Sequence, residues 1–133
     1  LIATVLSEAP GAAEHFEGAF VVYTPDQKYF ALKVPPAMID KYGIVSAEVA
    51  VAMAEGALEG SRADIAVSVT GVAGPEPDKQ GTPVGLVYFG CVRRGKPSFH
   101  RKKEFGDRGR SAVRYLAAEE ALALIQGCAA GRD

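Results

Sequence analysis

Val67-Ser-Val-Thr-Gly-Val-Ala-Gly-Pro75 joins an apolar, β-branched run to a turn carrying Gly71 and Gly74, and its reading decides the fold. Ile65 to Val69 predicts a short strand, and the run from Asp64 to Thr70 is apolar almost throughout, as strands covered on both faces tend to be. Helices must therefore flank the sheet. Gly71 and Gly74 permit backbone angles that other residues resist and let a ligand approach the main chain. The Thr70 to Pro75 turn thus offers a hydroxyl and backbone donors for a phosphate or a developing oxyanion, and a plain strand terminator is equally compatible with these residues. The turn lacks the three-glycine spacing of a dinucleotide fingerprint and the Gly-Lys-Ser/Thr ending of a P-loop.

Downstream, Val84 to Arg93 predicts a second apolar strand, Gly95-Lys-Pro97 a turn, and Ser98 to Phe105 an antiparallel partner near an edge, together a hairpin. Asp107 is expected to cap a final helix whose stripe is Val113, Leu116, Ala117, Ala121, Leu124 and Ile125. Upstream, Leu1 to Leu6 reads as the later part of an amphipathic helix, and Ala9-Pro-Gly11 breaks it. Gly18 to Thr24 reads as a strand inside the sheet, followed by a corner at Pro25 and Asp26. Gln27 to Leu32 forms a short helix that Val34-Pro-Pro36 interrupts. Ser46 caps a further helix with Val49, Ala50, Met53 and Ala57 on one face, ending near Gly60-Ser61. The expectation is an α/β chain, a three-layer α/β/α arrangement around a mixed, mostly buried central sheet. Residues 1–133 form a single domain without repeats, expected to begin inside an element and so to be N-terminally incomplete.

The 133 residues, 48% hydrophobic and 23% charged, suit one ordered domain with a substantial core. Fifteen basic against sixteen acidic side chains give a formal net charge of -1. No global field recruits nucleic acid or an anionic membrane, and any anion site must be local. Cys91 and Cys128 lack metal-type spacing, and with only His15 and His100 beside them no metal site is expected. No apolar run approaches the roughly twenty residues of a membrane span, and no signal peptide is visible, so a reduced, cytoplasmic setting is expected.

Two groups of residues could carry chemistry. A lysine near a strand end and partly desolvated, as Lys28 would be beside Tyr23, can lose enough basicity to accept a proton from a hydroxyl nucleophile. A rim aromatic and a solvated helix lysine are the plain alternatives. Basic residues cluster at Arg93, Arg94, Lys96, Arg101, Lys102 and Lys103, which read as a solvated hairpin, and again at Arg108, Arg110 and Arg114. Arg108 stands out in the second cluster, because a guanidinium at a helix N-terminus makes a compact anion site.

Taken in order, Tyr23-x4-Lys28, Gly43-Ile-Val-Ser46, Thr70-Gly-Val-Ala-Gly-Pro75, Pro83-Val-Gly85 and Phe105-Gly-Asp-Arg108 resemble the C-terminal domain of the CinA family over nearly the whole chain. The resemblance implies nicotinamide mononucleotide deamidase activity: hydrolysis of the carboxamide to the acid and ammonia, with no cofactor. It further implies that Lys28 is the general base activating a serine, that Tyr23 assists, and that Thr70 and Arg108 position substrate or polarise reacting groups. Gly71, Ala73 and Gly74 would line the pocket with their backbone. Apart from the resemblance, Arg108 at its expected helix start is the residue expected to meet the phosphate.

The family's nucleophilic serine belongs to a Glu-Ser-x-Thr-Gly-Gly type turn immediately upstream of the segment resembling Leu1 onward. Ser7, Ser46, Ser61, Ser68, Ser98 and Ser111 do not match it. In the loop between Pro75 and Thr82, Glu76-Pro-Asp-Lys-Gln80 also replaces a more glycine-rich stretch, and Pro75 and Pro77 stiffen the loop. Two functions from different classes follow: an amidohydrolase domain whose serine-bearing strand and turn precede this stretch, or a non-catalytic nucleotide-binding or assembly module. The expected partner is a small-molecule nucleotide, and an uncovered sheet edge would favour a homo-oligomer.

Overall fold

The computed structural model describes residues 1–131. In chain order these form α1 (Ile2–Glu8), α2 (Ala12–His15), α3 (Pro25–Leu32), α4 (Pro36–Tyr42), α5 (Ala47–Glu59), β1 (Ile65–Gly71), β2 (Leu86–Arg93), β3 (Phe99–Glu104) and α6 (Arg110–Ala129). The sheet order is β1-β2-β3. Both pairings are antiparallel, with Val69 opposite Phe89 and Phe89 opposite Arg101.

The alternation of side chains along β1 and β2 gives each face of the sheet its own helix. On one face Val87 and Phe89 bury against Val113, Ala117, Ala121 and Leu124 of α6, with Val67 and Val69 packed alongside. On the other, Val92 packs against Ala54 and Leu58 of α5, with Ala66 beside them. Ser68 points to this second face, donating its hydroxyl to the Ala50 carbonyl and accepting the Gly90 amide at 3.1 Å. Gly90 has no alternative there, because a Cβ at that position would collide with the Ala50 carbonyl. The backbone of α5 therefore rests directly on β2. A third cluster, Leu32, Val34, Ile39, Val49 and Met53, holds α3 and α4 against α5.

The expected three layers are present, but the sheet is antiparallel among the described residues rather than mixed. The cause is Gly18 to Thr24, which pairs with no strand. It runs without regular structure until the chain enters α3, with Val21 89% exposed and only Val22 turned toward the core. Apolar alternation identifies residues able to join a ladder; it does not supply the neighbouring strand whose N–H and C=O groups the ladder needs. Burial is uneven as well, since β3 is exposed along most of its length.

Local signals set most boundaries. Thr24 accepts the Gln27 amide at 3.1 Å with Pro25 in the first turn of α3, and Ser46 accepts the Val49 amide at 3.2 Å at the head of α5. Pro36, read as an interruption, instead opens α4, where its missing N–H is harmless. Asp107 does not cap α6. Gly109 occupies the N-cap with φ 90° and no side-chain cap bond, which leaves Asp107 outside the helix.

Candidate functional site

A cavity of about 400 Å³ opens where the end of β1, the start of α3 and the head of α6 converge. Its lining includes Tyr23, Lys28, Thr70, Gly71, Ala73 and Gly74, so six of the seven residues singled out in the sequence meet there. Arg108 is the exception: it is exposed, and the arginine in the lining is Arg110.

Lys28 is the chemically unusual member. Thr24 caps α3 and Pro25 fixes its first turn, which turns Lys28 inward, and the residue is only 6% exposed. Its Nζ donates to the Val22 carbonyl at 3.0 Å, and no carboxylate forms an ion pair with it among the described residues. Burial lowers its pKa from 10.5, because the protonated form loses hydration that one carbonyl does not replace. A lysine so placed holds a larger share of the neutral amine than a surface lysine, and can take a proton. Tyr23 sits at the mouth instead, 81% exposed.

The turn after β1 forms the facing wall. Thr70 is buried and donates its hydroxyl to the Ile44 carbonyl at 2.9 Å, tying the end of the strand to the loop before α5. The Val72 amide is used by the Leu86 carbonyl at 3.1 Å, whereas among the described residues no protein acceptor takes the Ala73 or Gly74 amide. Those two donors are available to a ligand oxygen. Gly74 is required by its φ of +93°, and a Cβ there would lie 2.8 Å from Val84 Cγ1. Arg110, in the first turn of α6, donates Nη1 to the Gly74 carbonyl at 3.0 Å and so fixes the turn from the far side.

Two carboxylates join the lining, Glu76 and Asp78. Burial pushes the Asp78 carboxyl up, but the Thr82 hydroxyl and the amides of Thr82, Gln80 and Gly81 outweigh it and hold the pKa below its usual value. Its Oδ1 accepts the Gln80 amide at 2.9 Å and the Thr82 amide at 2.8 Å. The loop read from its prolines as merely stiff is thus organised around Asp78. An Asp two residues before the amide it accepts is a recognisable turn signal, and it was the clue available in the sequence. Arg110 stood beside Arg108 in the same basic cluster; its preference could not be read because the helix start falls at Arg110 rather than just after Asp107.

The model of the CinA C-terminal domain matches residues 1–129. This chain belongs to the CinA C-terminal domain family. A CinA-like protein of Dictyoglomus thermophilum is 43% identical over 126 residues, covering 95% of this chain and 30% of that protein. One of Geobacter sp. (strain M21) is 40% identical with the same coverage. The chain therefore spans about 30% of the length of the curated relatives it matches. Among solved structures, the competence/damage inducible protein CihA from Agrobacterium tumefaciens superposes with a TM-score of 0.90 at 37% identity, covering 95% of this chain and 76% of that one. A CinA superfamily protein from Escherichia coli follows at 0.88 and 32% identity, covering 94% and 72%.

The family assignment agrees with the order of motifs along the sequence, and the α/β/α layering is that of the solved CinA superfamily proteins. Among the described residues no helix is long and apolar enough to cross a membrane, and no group of three or more His, Cys, Asp or Glu side chains is placed to hold a metal ion.

Proposed function

We propose that this CinA-family domain forms the general-base and oxyanion side of an amidohydrolase site acting on nicotinamide mononucleotide. The observation that carries the reading is Lys28: buried, without a carboxylate partner among the described residues, and with its basicity lowered at the wall of a cavity large enough for a substrate. Neutral Lys28 takes the proton of a serine hydroxyl as that oxygen attacks the carboxamide carbon. The Ala73 and Gly74 amides receive the developing oxyanion. The same lysine then returns the proton to the departing nitrogen, which leaves as ammonia, and water hydrolyses the acyl intermediate to the carboxylate.

In this reading the nucleophile belongs to the serine turn that the family resemblance puts ahead of the Leu1 segment. The phosphate lies toward the arginine side of the cavity, where Arg110 lines the wall and Arg108 remains the candidate drawn from the sequence. Tyr23 acts at the rim. Ammonia release from nicotinamide mononucleotide by the complete gene product, with and without Lys28→Ala, tests the mechanism. Loss in the variant supports it, and an unchanged rate ends it.

A specific observation favours a second reading, a non-catalytic nucleotide-binding module. Among the described residues no serine or cysteine lines the cavity. Ser46 is spent on the α5 cap, Ser61 donates to the Ala57 carbonyl at 2.8 Å, and Ser68 is locked between α5 and β2. Titration calorimetry with nicotinamide mononucleotide separates the two: saturable binding without ammonia release from the complete protein establishes the module.

A further inference from the structure

Cys91 and Cys128 lie 37 residues apart in the chain, yet their Sγ atoms approach to 2.8 Å. Both are thiols and both are fully buried. Cys91 is on β2, two residues beyond Phe89 and therefore on the same face of the sheet, the face covered by α6. Cys128 is in the last turn of α6. A disulfide bond is about 2.05 Å long, so the two sulfurs need to close only about 0.75 Å to bond. The register of β2 and the docking of α6 have already brought together what a crosslink requires.

We propose that this pair is a modification site, a dithiol that closes to an intramolecular disulfide stapling the C-terminal turn of α6 to the central strand. The co-reactant is a small peroxide. One thiolate attacks a peroxide oxygen, the O–O bond breaks, and hydroxide leaves a sulfenic acid on that sulfur. The second thiolate attacks the same sulfur, the S–O bond breaks, and a second hydroxide leaves. Two thiol protons neutralise the two hydroxides to water, two electrons pass from sulfur to peroxide, and a thiol reductant reverses the bond by exchange.

Access comes from the end of the helix. Beyond Cys128 the chain is held by the Ala130 amide on the Gln126 carbonyl at 3.0 Å and the Gly131 amide on the Cys128 carbonyl at 3.1 Å, and Ala129 and Ala130 are exposed. The last turn of a helix opens at lower free energy than the core. The staple removes that opening, and it acts on the helix whose other end carries Arg110.

The test treats the complete protein with hydrogen peroxide and counts thiols after denaturation. The expected result is the joint loss of the Cys91 and Cys128 thiols, a domain lighter by two hydrogens, and a covalent link between the peptides carrying Cys91 and Cys128. The urea midpoint rises on oxidation and falls back with dithiothreitol. In Cys128→Ala the midpoint no longer responds to reductant and Cys91 yields no internal crosslink. Thiols that still titrate after peroxide, sulfinic acid on one cysteine alone, or linkage only between separate chains overturns the proposal. The wild-type comparison with and without dithiothreitol decides the matter even where the variant fails to fold.

Discussion

Lys28 Nζ donates to the Val22 carbonyl at 3.0 Å, so the segment expected to be a strand serves instead to hold a buried lysine. The bond orients the amine without neutralising it. Burial then sets the direction of its pKa, downward from 10.5.

The pH dependence follows from that direction. The folded protein binds fewer protons at Lys28 than the unfolded chain between its lowered pKa and 10.5. Stability linked to this group is therefore present above 10.5 and lost as pH falls through the folded pKa. Urea midpoints across the alkaline range should flatten in Lys28→Met relative to wild type. A variant with the same slope would show that Lys28 is not the group responsible.

Activity should track the same proton. Ammonia release by the complete protein should rise with pH through the lowered pKa of Lys28, since only the neutral amine is a base. Lys28→Ala should reduce the rate about 10²- to 10⁴-fold, the usual contribution of a positioned acid–base group. A pH–rate profile of wild type beside the variant checks both.

The two arginines make a paired prediction. Both are exposed, but Arg110 lines the cavity and Arg108 does not. Arg110→Ala should weaken nicotinamide mononucleotide binding about tenfold or more, given about 1.5–3 kcal/mol for a hydrogen bond to a charged group. Arg108→Ala should change it less. Calorimetry on the two variants decides, and the larger loss in Arg108→Ala would return the phosphate role to that residue.

Helix caps give a second contrast. Ser46→Ala removes the bond to the Val49 amide and should destabilise the domain by about 1 kcal/mol. Asp107 makes no cap, so Asp107→Ala should stay within about 0.5 kcal/mol of wild type by urea denaturation.

Gly90→Ala addresses the sheet. Its Cβ would strike the Ala50 carbonyl, which belongs to backbone and cannot swing away. Overpacking of this kind costs about 1–3 kcal/mol or more, and chemical denaturation measures it directly.

Much of this was legible in the chain. The β1 run, the hairpin from Val84 to Phe105 and the helix after Ser46 appear where periodicity and capping put them, because each signal is local and was not overridden. Six of the seven chosen residues line one cavity, because the fold brings the start of α3 and the turn after β1 together. Asp107 failed as a cap because the chain enters α6 through Gly109, and Gly18 to Thr24 failed as a strand because no neighbour pairs with it.

By itself, then, the order of residues determined the family, the identity of the helices and strands that carry strong local signals, and the lysine and glycine turn proposed as the site. Only the tertiary structure decided which arginine faces the cavity and that Cys91 meets Cys128. The reason is physical. Caps and periodicities act over a few residues, whereas Arg110 meets Gly74 and Cys91 meets Cys128 across 36 and 37 residues of chain, through the angle at which α6 lies on the sheet.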